Sequence, residues 1–215
     1  MSVKWSTLLE GAELLQGIPF FPELPDALAA YRHFRGGTGT RRRVCFERFV
    51  QHDPSGRVVT RQLFFDVRWE LERLAERYGD AFSFRSRSVI DVGKDDLYPD
   101  PVTENWQKTL GKFYLWVDGH LRRRGTSGFE AAVRIHVEDR YDFNPGEEDI
   151  AWGFPDKENG MLSLSGLGTP FIHHDLVYRT YRWKLDDPFD RPPRPFRPHV
   201  RYRAPSDNLR LRNQL

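Results

Sequence analysis

From residue 129 to residue 138 the side chains alternate without a break. Phe129, Ala131, Val133, Ile135 and Val137 fall on one side, and Glu130, Ala132, Arg134, His136 and Glu138 on the other. A period of two with one apolar side is the pattern of a strand in an antiparallel sheet packed on one face. Residues 66–78 follow a different period. Val67, Leu71, Leu74, Ala75 and Tyr78 fall at helical spacing, and Arg68, Glu70, Glu72, Arg73, Glu76 and Arg77 cover the other faces. Asp66 reads as the N-cap of that helix and Gly79 as its C-cap. Two short helices are expected near the N-terminus, one opening on Ser6-Thr7 and one on Pro25-Asp26. Residues 44–50 and 58–64 read as strands around a turn at 52–56, the second also as the approach to a helix. Residues 82–92 and 106–117 read as strands, the latter ending at Asp118-Gly119, and residues 178–185 as the last strand. The sum is an α+β fold: an antiparallel sheet, with room to curve into a half-barrel, packed against N-terminal helices.

Residues 1–186 form one domain in this reading. Beyond it Pro188, Pro192, Pro193, Pro195, Pro198 and Pro205 punctuate an Arg-rich tail, which favours extended or disordered structure. The chain has 215 residues and a formal net charge of +2, from 33 basic and 31 acidic side chains. That balance argues against a nucleic-acid binder working through bulk charge. Arg41 to Arg43 and Arg122 to Arg124 form local clusters. Each reads as a solvated loop or strand end, with phosphate contact as the sharper alternative. The one cysteine, Cys45, allows no intrachain disulfide and reads as a small buried hydrophobe. No apolar run is long enough for a membrane span, and the first 25 residues lack a secretory pattern. Synthesis in the cytoplasm without a signal peptide is therefore expected.

The chemistry concentrates where the alternating strand ends, in Asp139-Arg140-Tyr141-Asp142-Phe143-Asn144. Carboxylates crowded at the end of a rigid element suit acid–base work or a hard divalent cation. In a regular strand Asp139 and Tyr141 share the apolar face with Val137, while Asp142 points the other way. A joint site for Asp139 and Asp142 therefore requires a bend near Tyr141, and Asn144-Pro145-Gly146 has turn chemistry. The alternative is a strand end capped by solvated acids. Residues 153–160 resemble a calcium loop in composition but not in spacing, and read as a polar turn. No Gly-rich phosphate loop, Cys/His zinc pattern or Gly-x-Ser-x-Gly elbow is present.

The Asp-x-Tyr-Asp-Phe-Asn hexapeptide at a strand end resembles the catalytic segment of colicin M-type bacteriocins. Leu167-Gly168-Thr169-Pro170-Phe171 and the aromatic run from Tyr178 to Trp183 resemble that family's C-terminal stretch, so the match spans roughly residues 129–185. The resemblance implies Mg²⁺-dependent hydrolysis of lipid II between the polyprenol and the pyrophosphate. It implies Asp139, Tyr141 and Asp142 at the active site, with Asp139 and Asp142 as the metal carboxylates and Asn144 near the substrate. The family carries an adjacent His-Arg pair soon after the motif. Here the ungapped positions hold Glu148 and Asp149, and the next histidines are His173 and His174, with Arg179 and Arg182 beyond. In a rewired site His173 or His174 serves as acid–base, and Arg179 or Arg182 holds the phosphate. The partners implied are a lipid-linked cell-wall precursor and an immunity or delivery-apparatus protein. The place of action implied is the target-cell periplasm, reached by a specialised secretion system. Two other readings stand beside it: a non-enzymatic component of a secretion or phage-tail-like particle, and a membrane-acting toxin.

Overall fold

A computed structural model describes residues 23–142 and 168–185 of the chain. Its elements in order are α1 (Pro25–Arg35), β1 (Arg42–Arg43), α2 (Phe46–His52), α3 (Pro54–Tyr78), β2 (Ala81–Arg85), β3 (Ile90–Val92), α4 (Glu104–Thr109), β4 (Phe113–Arg124), β5 (Gly128–Tyr141) and β6 (Phe171–Lys184). The strands make one open, mixed sheet in the order β1-β6-β5-β4-β2, with β3 on the same edge of β4 as β2. β4, β5 and β6 are antiparallel, whereas the two-residue β1 joins β6 in parallel. The α+β expectation holds, and the sheet does not close among the described residues.

Among the described residues, helices cover one face of the sheet. Phe129, Ala131, Val133, Ile135 and Val137 of β5 meet Leu115, Val117 and Leu121 of β4 and Val177 and Trp183 of β6 there, and all are buried. Across them lies α3, whose Val59, Leu63, Val67, Leu71 and Ala75 repeat every fourth residue along one stripe. A second, smaller core forms where α1 covers the far end of β5 and β6. Leu28, Tyr31 and Phe34 pack there against Phe171 and Tyr141.

The structure corrects several sequence expectations. Residues 44–50 are not a strand: Phe46 and Phe49 sit one helical turn apart in α2, pressing on Phe113 and Trp106. Cys45, expected to be buried, is exposed just ahead of that helix. Residues 58–64 are helical, because the four-residue stripe of α3 begins at Val59 rather than Val67. Asp66 is therefore no cap. It is buried in mid-helix, accepting from Gln62 Nε2 (2.8 Å) and the Tyr98 hydroxyl (2.7 Å). Residues 106–117 divide into α4 and the start of β4, and Asp118-Gly119 lies inside β4 rather than at a turn. Residues 82–92 hold two short strands, and the last strand starts at Phe171. The helix expected from Pro25 is present; the one expected from Ser6 and the proline-rich tail lie outside the described residues.

One residue, Asp53, separates α2 from α3. Gly56 lets the two helices cross closely, since a Cβ there would stand 2.7 Å from the Phe49 carbonyl oxygen. The Asp53 carboxylate accepts from Ser55 N (2.9 Å) and Ser55 Oγ (2.6 Å) at the start of α3, and from Val102 N, Thr103 N (2.8 Å) and Thr103 Oγ1 (2.7 Å) ahead of α4. Burial alone would raise its pKa, but these donors outweigh it and hold the group below its ordinary value. Asp53→Ala would strand several buried donors and remove a cap at once. It is expected to cost about 3 kcal/mol in urea unfolding at neutral pH, with Asp53→Asn recovering much of the loss.

Candidate active site

The register of three strands places one row of polar side chains between the two cores. Arg42 of β1 lies beside His173 of β6, and His173 lies opposite Asp139 of β5. Paired positions share a face, so all three point toward the helices. His173 is completely buried and Asp139 is 6% exposed. Tyr141 and Phe171, the next pair along, stack at 5.0 Å between ring centroids, and both present themselves edge-on to the imidazole. His33 of α1 meets Phe171 edge-on at 4.5 Å.

Hydrogen-bonding chemistry assigns the imidazole tautomer. Arg42 Nη1 stands 2.8 Å from His173 Nε2, and a guanidinium can only donate. Nε2 is therefore the acceptor, and the ring proton belongs to Nδ1. Nδ1 lies 3.6 Å from Asp139 Oδ2, longer than a hydrogen bond. Burial, then the charge of Arg42, then His33 and His174, push the His173 pKa down to about 3. His173 is thus neutral at physiological pH. Burial lowers the Arg42 pKa, opposed by Asp26 and Tyr141, yet arginine remains charged.

Asp26 connects this row to α1 and α4. The helix α1 has no side-chain cap of its own at Leu24. Instead Asn105 Oδ1 of α4 accepts from Asp26 N (3.0 Å) and Ala27 N (3.2 Å), while Asn105 Nδ2 donates to Asp26 Oδ2 (3.0 Å). Asp26 also pairs with Arg48 at 3.2 Å. The neighbours of Arg42 take other partners. Arg41 donates to Glu138 Oε2 at 2.8 Å, and Arg43 Nε donates to Asp175 Oδ1 at 2.9 Å. Each arginine of the cluster thus lands on its own side chain of β5 or β6.

The other expected site residues separate. Strand pairing stays regular through Tyr141, with no bend to turn Asp142 toward Asp139. Arg140 Nε holds Asp142 Oδ2 at 2.7 Å, two residues away on the opposite face. Among the described residues, no three His, Cys, Asp or Glu side chains form a group able to hold a metal. His174 points away from His173, opposite Glu138. Arg179 pairs with Glu47 and Arg182 with Glu130, roughly 20 and 30 Å along the strand from His173 at ~3.3 Å per residue. Asn144 and residues 153–160 lie outside the described residues. Arg42, His33 and Asp26 went unassigned in the sequence. The arginine cluster alone hinted at Arg42, and only the parallel pairing of β1 with β6 selects it from its neighbours.

With that geometry in place, comparison with known proteins gives a likeness of fold. No family model matches the chain, and no curated protein matches it. Among solved structures it is similar to PaeM, a colicin M-like bacteriocin of Pseudomonas aeruginosa, at 16% identity and a TM-score of 0.44, over 80% of this chain and 58% of that one. It is similar to pectocin M2 at 16% identity and a TM-score of 0.43, over 84% of this chain and 63% of that one. It is also similar to the bacteriocin syringacin M of Pseudomonas syringae pv. tomato at 16% identity and a TM-score of 0.43, over 74% and 52%. The chain spans less than two thirds of each of these structures. Such a likeness fixes no residue's role. No helix among the described residues is long and apolar enough to cross a membrane.

Proposed function

We propose that the chain is an antibacterial toxin of the colicin M type, hydrolysing a polyprenyl-pyrophosphate-linked peptidoglycan precursor such as lipid II. The observation that carries this reading is the Arg42–His173–Asp139 row beside Tyr141 at the end of β5. A histidine and an arginine are missing from the sequence just after the motif, and the fold brings one of each to it. The half-buried Arg42 fork suits two oxygens of a pyrophosphate, and its fixed charge favours the charge that develops as the bond breaks. His173 is sealed from solvent and bonded to Arg42, so it acts as a positioning residue rather than as the acid or base. Asp142 is held by Arg140 on the opposite face, so in this reading Asp139 is the carboxylate that shares a face with Arg42 and His173. Hydrolysis splits the bond between polyprenol and pyrophosphate, adding hydroxyl to phosphorus and a proton to the polyprenol oxygen.

The Mg²⁺ implied by the resemblance does not find a two-carboxylate seat in this geometry, because Asp139 and Asp142 point to opposite faces. No step is therefore routed through a metal. The place of action in this reading is the target-cell periplasm, reached by a delivery system. The test is incubation of purified protein with lipid II, in Mg²⁺ and in EDTA, with chromatography of the products. Free polyprenol is the expected product. A folded protein that releases none under either condition overturns the proposal. Leakage of precursor-free vesicles would instead place the chain among membrane-acting toxins.

A further inference from the structure

We propose that the outer edge of β6 receives an extended acidic peptide of a partner protein, added to the sheet as a further strand. Two independent observations lead there. The first is the edge itself. β6 is 14 residues long, yet β1 pairs with it only at His173 and His174. From Leu176 to Trp183 its outer side has no partner strand among the described residues. A row of backbone donors and acceptors on such an edge is a template for another chain.

The second observation is the charge beside that edge. The face that bears no helix among the described residues carries Arg122, Arg124, Arg134, Arg182 and Lys184 against two buried carboxylates, Glu130 and Asp118. Glu130 receives Arg122, Arg124 Nη2 (2.8 Å) and Arg182 Nε (2.8 Å), while Asp118 receives Arg134 and lies 2.8 Å from His136 Nε2. The carboxylates thus fix guanidinium forks that remain open to solvent, with Arg182 72% exposed. This patch has a larger positive excess than the whole chain, whose net charge is +2. Next to it stands Tyr178, 68% exposed. Arginine with tyrosine, and little lysine, is the composition of a protein-binding surface. An added strand would direct every second side chain toward Tyr178, Arg182 and Lys184, so a segment with acids at alternate positions is complementary.

The competing reading is that these charges merely guard the edge against self-association. Fluorescence anisotropy with labelled ten-residue peptides separates the two. The probes are alternating Glu-Thr, the same peptide N-methylated at every second residue, and alternating Lys-Thr. The Glu-Thr peptide is expected to bind at least ten times more tightly than the other two. Binding should weaken about tenfold in Arg182→Glu, and also between 50 and 300 mM salt. It should slow hydrogen exchange at the outward amides of Leu176 to Trp183. Equal binding of the N-methylated peptide, or no change in Arg182→Glu, overturns the proposal. So does preferential binding to anionic vesicles, or a dimer formed through the same edge.

Discussion

Arg42→Ala is expected to lower the rate of lipid II hydrolysis by roughly two to three orders of magnitude, the loss seen when one preorganised donor to developing charge is removed. The size follows from where the guanidinium sits. One edge is fixed by His173 Nε2 at 2.8 Å and the group is half-buried, so its position is set before substrate arrives. Asp26 contributes attraction from α1 and is itself held by Asn105 and Arg48. A fork held in this way gives up little freedom on meeting a pyrophosphate. Arg42→Lys keeps the charge but not the planar pair of donors, and should recover thermal stability while recovering less than a tenth of the rate. A loss confined to KM, with kcat unchanged, would make Arg42 a ground-state binding residue instead. Parallel mutation of Arg41 and Arg43 serves as the control. Their partners are Glu138 and Asp175, so neither change should approach the effect at Arg42.

The contrast between Arg42 and its neighbours shows where the sequence was informative. The alternation that announced β5 was reliable because, among the described residues, helices pack on one side of that strand, so each face has a single character. Phasing also told correctly that Asp139 and Asp142 diverge unless the strand bends, and the ladder runs unbroken to Tyr141. The first three turns of α3 were misread because Val58, Val59, Phe64 and Phe65 favour strands locally, and tertiary packing of the four-residue stripe outweighed that preference. The site's second half was not legible, because its contacts are non-local. Arg42 and His173 are 131 positions apart, joined by a strand of two residues. The cap on α1 comes from Asn105, 79 positions away from Asp26. Local pattern cannot encode either pairing, and both decide which arginine reaches the motif.

The same buried row makes the fold sensitive to acid. In the unfolded chain His173 takes a proton near pH 6.5, whereas in the folded protein it does so only near pH 3. Between those values the unfolded state binds the additional proton, so folding stability falls as pH falls. Above about pH 6.5 the group contributes nothing to the slope. Stability therefore declines through this window, by an amount on the order of a few kcal/mol by pH 3. The physical obstacle is specific. Nε2 already accepts from Arg42, so protonating it sets two cations side by side in a site without solvent, with His33 and His174 adding to the repulsion. Asp139 offers the compensating charge, but its Oδ2 stands 3.6 Å from Nδ1. His173→Gln is the discriminating variant, since the glutamine carbonyl oxygen can accept from Arg42 and cannot titrate. At pH 7 it should be less stable than the native chain by about 1–2 kcal/mol, for the lost ring packing. Asp53, held below its ordinary pKa, destabilises both proteins alike in acid, so the difference between them isolates the histidine. Urea midpoints measured from pH 7 to pH 4 should converge and then cross, with the variant the more stable at pH 4. Parallel curves would mean that His173 is protonated in the folded state without penalty, and that its bond to Arg42 does not hold the ring neutral.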